Sequence, residues 1–193
     1  MANHNISIVS ALSPGYALFW RNLIYPCRRM GAMTRIAVGG TFDPLHEGHR
    51  ALLSRAYELG RGGDGETGEV TIGLTSNDLA RRRLHPVADY AVREREVRRY
   101  VNDLFNISPE IVMLHDPYGT TLSEPFDYIV VSPETHPVAT KINELRRERG
   151  IGDIEIVLVP YVLAEDGLPI SSTRIKNGEI DLRGKLITDH KQR

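Results

Sequence analysis

The feature that most constrains this chain is residues 35–49, RIAVGGTFDPLHEGH, where a short apolar run passes through two glycines into a helix start. Residues 36–38 have the continuous apolar character of a buried strand. From Leu45 onward, apolar side chains recur at the three-to-four spacing of one helix face. A strand followed at once by a helix is the repeating unit of a parallel α/β sheet. The stretch therefore predicts the first strand and first helix of such a sheet.

The pattern of alternating strands and helices continues through residues 33–193, which predicts one α/β domain with helices on both faces of a parallel sheet. We expect a Rossmann-like, doubly wound sheet in the order 3-2-1-4-5, with a ligand crevice between strands one and four. A helix is predicted over residues 89–105, and its charges from Arg93 to Arg99 are expected to form a solvated face. The five predicted strands lie near residues 36–38, 70–74, 111–114, 128–131 and 155–159.

Composition excludes several classes of function. The 193 residues are 41% hydrophobic and 25% charged, with a formal net charge of −1, so the chain does not hold polyanions by bulk charge. Nucleic acid is therefore not an expected partner. No apolar run approaches the roughly twenty residues of a membrane span, and the single cysteine, Cys27, forms no internal disulfide. These features favour the cytoplasm, and they specify no oligomeric state.

The first thirty-two residues, Met1–Ala32, do not share the alternating pattern. Residues 17–25 are apolar and aromatic, but the run is short, contains Arg21 and follows no basic region, which argues against a signal peptide. We expect this extension to be poorly ordered, or else to reflect a mis-assigned start, with Met30 or Met33 as the true first residue.

The residues at the start of the first helix are of the types that commonly form a phosphate-binding site. Gly39 and Gly40 are expected to let the backbone turn tightly near a ligand, and Thr41 adds a hydroxyl donor. His46 and His49 are predicted to lie with Gly48 on the first helical turn, beside unpaired backbone N–H groups. Taken alone, a His-x-x-His pair is more often surface decoration or half of a zinc site. A zinc site would require further ligands at close spacing.

Two motifs carry a resemblance to a known superfamily. GGTFDPLHEGH is similar to the (H/T)-x-G-H signature of the nucleotidyltransferases. ISSTRIK, which begins at Ile170, resembles the ISSTxxR signature with which these enzymes hold the β- and γ-phosphates of ATP, and Lys176 stands where that signature has arginine. Lysine keeps the charge and loses the bidentate fork, so either Arg174 or Lys176 makes the main contact.

A wider set of segments resembles the phosphopantetheine adenylyltransferases of the archaeal and eukaryotic type. These segments are GGTFDPLHEGH, GLTSNDLARRR, VVSPETHPVATKINELRRERG and VPYVLAEDGLPISSTRI. That resemblance implies adenylyl transfer from ATP to 4′-phosphopantetheine, with Mg²⁺ carried by the ATP and with small molecules as the partners. It implies His46 and His49 as catalytic residues and Asp43 as a structural ligand of its turn. The residues implied for nucleotide binding are Gly39, Gly40, Thr41, Phe42, His46, His49, Ser132, Ser171, Ser172, Thr173, Arg174 and Lys176.

Other assignments remain open at this stage. Thr41 and at least one of the arginines Arg81, Arg82 and Arg83 are expected to reach the acceptor phosphate, because a crevice is predicted beside them; taken alone, the basic cluster would be an exposed turn. Ser132 and Thr135 either cap the following helix, which local sequence favours, or contact a nucleotide. The alternative functions are a nicotinamide mononucleotide adenylyltransferase, a cytidylyltransferase, or a non-catalytic nucleotide-binding protein of the same fold.

Overall fold

The computed structural model describes residues 33–61, 68–82 and 85–187. The predicted extension Met1–Ala32 lies outside these residues, as does most of the glycine-rich loop after the first helix. The described elements are β1 Arg35–Gly40, α1 Glu47–Gly60, β2 Glu69–Thr75, α2 Asn77–Ala80, α3 Tyr90–Phe105, β3 Glu110–Leu114, a 3₁₀ turn Gly119–Leu122, β4 Tyr128–Val131, α4 His136–Glu148, β5 Glu155–Leu158 and α5 Ser172–Lys176.

The five strands form one parallel sheet in the order β3-β2-β1-β4-β5. This confirms the predicted fold class and strand order. β1 is the central strand, and it pairs Val38 with Ile72 of β2 and Ala37 with Ile129 of β4. Because the connections run in opposite directions from β1, the point where strand order reverses lies between β1 and β4.

Helices cover both faces of the sheet. α1 and α3 form one layer, since the rings of Tyr57 and Phe105 stack with centroids 4.7 Å apart. On the opposite face, Ala139 and Ile142 of α4 pack with Ala37 and Ile129 of the sheet. Among the described residues, no helix combines the length and the apolar character that crossing a membrane requires.

The expectation of a solvated charged face on α3 is wrong at Arg93, which is only 2% exposed. Arg93 precedes Val97 by four residues and Val101 by eight, so it continues the buried stripe of the helix. The spacing of Arg93 from Val97 and Val101 thus indicated burial, whereas its charge had led to the prediction of a solvated position. The first helix also begins later than predicted, at Glu47 instead of Leu45.

Asp89 caps α3 from outside the helix and provides a test of local stability. Its carboxylate accepts from the Ala91 backbone N–H at 3.1 Å and from the Asn77 amide at 2.9 Å. We expect Asp89→Ala to lower the free energy of unfolding by about 1 kcal/mol, the usual cost of losing a cap. Urea unfolding measures this. The control is Asp103→Ala on the same helix, where an exposed pair with Arg99 is lost and the change should stay within about 0.5 kcal/mol; equal losses would contradict the capping argument.

Candidate active site

A cavity of about 280 Å³ opens at the carboxyl ends of β1 and β4, where the strand order reverses. We call it the crevice cavity. Its walls come from the β1–α1 connection, the residues after β4 and β5, and the segment that enters α5. The predicted site residues that line it are Gly39, Gly40, Thr41, His46, His49, Ser132, Ser171, Ser172 and Thr173.

His46 is the N-cap of α1 and therefore lies just before the first helical turn. The prediction that it lies on the first turn is wrong. Its Nδ1 accepts a hydrogen bond from the Gly48 backbone N–H at 3.1 Å. Burial lowers the pKa of His46 from 6.5 to about 4, because the charged form is deprived of solvation. His46 is therefore neutral at pH 7. Since Nδ1 accepts, the ring proton is on Nε2, which makes that nitrogen a donor.

His49 lies on the first turn of α1 and stacks on His46, with ring centroids 3.8 Å apart and planes inclined by 21°. Its Nδ1 is 3.1 Å from the Pro44 carbonyl oxygen. A carbonyl can only accept, so Nδ1 carries a proton. The remaining nitrogen, Nε2, can donate to a ligand only when the ring is an imidazolium. The ring stacked on His49 is the neutral ring of His46, so no second cation lies against it.

The tight turn before the histidines is made differently from the prediction. Gly39 and Gly40 belong to β1, and the left-handed backbone conformation is adopted by Phe42, with φ 51°. Phe42 is 1% exposed and meets the His49 ring edge-on at 5.2 Å. A Cβ on Gly40 would lie 3.1 Å from the Phe42 ring. Gly40 thus makes room for a buried side chain that packs beneath His49.

Gly48 serves a similar purpose. A Cβ at this position would lie 3.0 Å from Cε1 of His46. The glycine between the two histidines therefore allows the His46 ring to fold back over the helix start. This placement brings the His46 ring into contact with His49.

Ser171 is the N-cap of α5 and accepts from the Arg174 backbone N–H at 3.3 Å. The two cations of this motif are engaged elsewhere. Arg174 forms ion pairs with Asp166 and, at 3.0 Å, with Glu179. Lys176 forms an ion pair with Asp43, whose carboxylate also accepts from the Ala88 backbone N–H at 3.0 Å. Neither cation lines the crevice cavity, so their assignment to phosphate binding stays a prediction.

These contacts also redefine Asp43, which had been expected to hold its own turn. Its carboxylate instead joins the segment before α3 to α5.

The capping assignment of Thr135 is wrong: it occupies the N-cap position of α4 but makes no side-chain capping bond. Its hydroxyl lies 3.2 Å from the Ser132 hydroxyl and also accepts from the Ser132 backbone N–H.

A second cavity, of about 400 Å³, lies on the α4 face of the sheet, and we call it the sheet-face cavity. Alternate residues of β2 and β3 form its floor, among them Gly73 and Val112, which are paired in register. Tyr118 and residues of the 3₁₀ turn form another wall. Sequence reasoning did not find this cavity, although a glycine inside β2 often marks a place where something approaches the backbone closely. Gly39, Gly40, Thr41 and Thr135 line both cavities.

The three predicted arginines are separated by the structure. Arg82 lines the sheet-face cavity, whereas Arg81 is exposed and pairs with Asp78 at 2.9 Å. Arg83 lies outside the described residues. Arg82, the middle member of the cluster, is thus the one that borders the sheet-face cavity.

The fold, the His-Glu-Gly-His motif after β1 and the Ser-Ser-Thr motif at α5 define a protein of the nucleotidyltransferase class. The sequence profile of the cytidylyltransferase-like family matches residues 37–178. A phosphopantetheine adenylyltransferase of Archaeoglobus fulgidus is 51% identical over 153 residues, which cover 79% of this chain and 99% of that protein. One of Methanosarcina barkeri is 48% identical over 156 residues, covering 80% of this chain and 93% of that protein.

A solved structure gives the same result for the fold. The crystal structure of a protein of unknown function from Archaeoglobus fulgidus superposes with a TM-score of 0.60 and 47% identity, covering 65% of this chain and 89% of that one. The chain belongs to the phosphopantetheine adenylyltransferases of the cytidylyltransferase-like family.

Proposed function

We propose that this protein transfers the adenylyl group of ATP to 4′-phosphopantetheine, giving dephospho-coenzyme A and pyrophosphate. An oxygen of the acceptor phosphate forms a bond to the α-phosphorus of ATP, and the bond from that phosphorus to the β-bridging oxygen breaks. The observation that carries the proposal is the meeting of two cavities at Gly39, Gly40 and Thr41, directly beside the stacked histidines. A two-substrate transfer requires such a junction.

The reaction makes few demands on proton chemistry. A phosphate monoester has a second pKa near 6, so the acceptor is largely a dianion at pH 7 and needs no general base. What it requires is alignment of two phosphates that repel each other and stabilisation of the charge that grows in the transition state. Hydrogen-bond donors and cations meet this requirement, and the crevice cavity provides donors in its histidines and in the hydroxyls of Ser171, Ser172 and Thr173.

The two histidines supply different kinds of donor in this proposal. His46 offers Nε2–H from a neutral ring, and that donor is available over the whole physiological range of pH. His49 offers Nε2–H as an imidazolium, which adds charge to the hydrogen bond. Together they would bind the α- and β-phosphate region, while Ser171, Ser172 and Thr173 would bind the outer phosphates.

The sheet-face cavity fits the acceptor. Its lining combines apolar side chains, such as Val112, Leu114 and Val138, with the hydroxyls of threonines, which suits an arm that alternates methylene groups and amides. Thr41, which lines both cavities, and Arg82, which lines the sheet-face cavity, are the residues that we propose for the phosphate of that arm. Among the described residues, no group of His, Cys, Asp or Glu is arranged to hold a metal, and we propose that Mg²⁺ enters with ATP.

The test is a pyrophosphate-release assay of the whole protein with a panel of substrate pairs. We expect turnover with ATP and 4′-phosphopantetheine to exceed that with ATP and nicotinamide mononucleotide, or with CTP and any acceptor. Pantetheine without its phosphate is the matched control and should give no pyrophosphate above background. Equal turnover with nicotinamide mononucleotide would overturn the substrate assignment, and no turnover with any pair would favour a nucleotide-binding protein without catalysis.

A further inference from the structure

The buried guanidinium of Arg93 sits directly behind the junction of the two cavities. Its Nη1 donates to the Thr41 carbonyl oxygen and to Thr75 Oγ1, each at 3.2 Å. Its Nε donates to the Ala88 carbonyl at 2.8 Å, and Nη2 donates to Asn77 Oδ1 at 3.3 Å. At 2% exposure, Arg93 cannot reach a substrate itself, so any effect it has on the site must pass through these partners.

The hydrogen bonds of this group run from Arg93 through Thr75 to Thr41. A guanidinium has donors and no acceptor, so Thr75 Oγ1 must accept from Arg93. The Thr75 hydroxyl donates its single proton to Thr41 Oγ1, which lies 3.2 Å away. Thr41 Oγ1 accepts at one lone pair, and its own proton is left for another acceptor. Thr41 lines both cavities, so that proton is available where the two ligands meet.

The charge of Arg93 strengthens this arrangement. Burial lowers the pKa of Arg93, and the carboxylates of Asp43 and Asp89 act in the opposite sense. An arginine in such surroundings keeps its charge at neutral pH. Hydrogen bonds in a chain polarise one another, so a cation at one end makes the hydroxyl at the other end a better donor.

We propose that Arg93 and Thr75 are positioning residues that direct the Thr41 hydroxyl proton toward the phosphate of the acceptor. This rests on the proposed function, because the acceptor must present a phosphate at the junction. Arg93 fixes the Thr75 hydroxyl, and Thr75 fixes the Thr41 hydroxyl. Thr75 also lines the sheet-face cavity, but in this arrangement its proton is directed to Thr41, and the Thr41 hydroxyl makes the contact with the phosphate. Through Ala88 and Asn77, the same guanidinium also holds the segment between α2 and α3 against the site.

Thr75→Val tests the relay by removing one hydroxyl at nearly constant volume. Calorimetry would measure the affinity of the whole protein for 4′-phosphopantetheine and for pantetheine. We expect the variant to bind the phosphorylated ligand about tenfold more weakly, the scale of one hydrogen bond to a charged group. Binding of pantetheine should not change. Thr75→Ser keeps the hydroxyl and should restore the affinity, whereas Thr140→Val, which removes an exposed hydroxyl on α4, should have no effect.

A double-mutant cycle separates the relay from simple support of the fold. If Thr75 acts through the Thr41 hydroxyl, adding Thr75→Val to Thr41→Val should cause no further loss of affinity for 4′-phosphopantetheine. Additive losses, or equal weakening of both ligands by Thr75→Val, would overturn the relay while leaving the proposed function intact. If the wild-type protein does not distinguish the phosphorylated ligand from pantetheine, the proposed function fails, and the relay fails with it.

Discussion

Replacing His49 with alanine should lower kcat by about a hundredfold or more, the scale of losing one preorganised donor to a developing charge. The affinity for ATP should fall much less, since the ground-state phosphates keep the donors of His46 and of the Ser-Ser-Thr segment. Single-turnover rates with saturating ATP and acceptor measure the chemical step directly. His115→Ala, which removes an exposed histidine that lines neither cavity, is the control and should keep the wild-type rate.

The dependence of these rates on pH separates charge stabilisation from general-base catalysis. Nδ1 of His49 is committed to the Pro44 carbonyl, so Nε2 donates only from the imidazolium. The rate of His49→Ala should stay level from pH 6.5 to 9, because the acceptor phosphate supplies its own anion and no proton has to be removed from it. A general base predicts the opposite: the wild-type rate would rise with pH, and the mutant would recover in alkali or with added imidazole. Either result would remove the role proposed for His49.

His46 should make the protein less stable in acid. Its pKa is 6.5 in the unfolded chain and about 4 in the folded protein. Between these values the unfolded chain binds a proton that the folded protein does not. The stabilisation is thus fully present above pH 6.5 and is lost as the pH falls toward 4. From pH 7 to pH 4, His46 should account for a loss of about 3 kcal/mol in the free energy of unfolding.

The comparison that isolates this effect is His46→Asn, because asparagine is also a good N-cap and does not titrate. Urea unfolding of both proteins at several pH values gives the difference between their free energies of unfolding. Between pH 7 and pH 4, the wild type should lose about 3 kcal/mol more of its free energy of unfolding than His46→Asn does. Parallel curves for the two proteins would show that His46 is not held neutral by the fold.

The elements that the sequence predicted well are those with strong local periodicity. Apolar runs such as residues 36–38 and 128–131 identified the strands, and the contiguous motif at His46 and His49 identified the edge of the sheet where the crevice cavity lies. The details that it missed depend on contacts between distant segments. Lys176 pairs with Asp43, 133 residues away, and no local pattern encodes that ion pair.

Two further misses have a common cause. Phe42 adopts a left-handed conformation beside two glycines that would adopt it more easily, because its ring fills the space beneath His49. Arg93 is buried although its helix is rich in charge, because the carbonyl oxygens of Thr41 and Ala88 accept hydrogen bonds from its guanidinium. In both cases tertiary packing overrides the preference of the residue type, and such packing becomes visible only once the elements are assembled.

The crevice cavity draws its walls from the beginning and the end of the described domain, from Gly39 in β1 to Thr173 in α5. During synthesis, the histidine motif is made first. At typical elongation rates, roughly ten seconds pass before the serines at the start of α5 are added to the chain. A nascent chain that ends before β4 has no crevice for a nucleotide to occupy. ATP consequently cannot guide the early steps of folding, and it stabilises only molecules in which the whole chain has already been brought together.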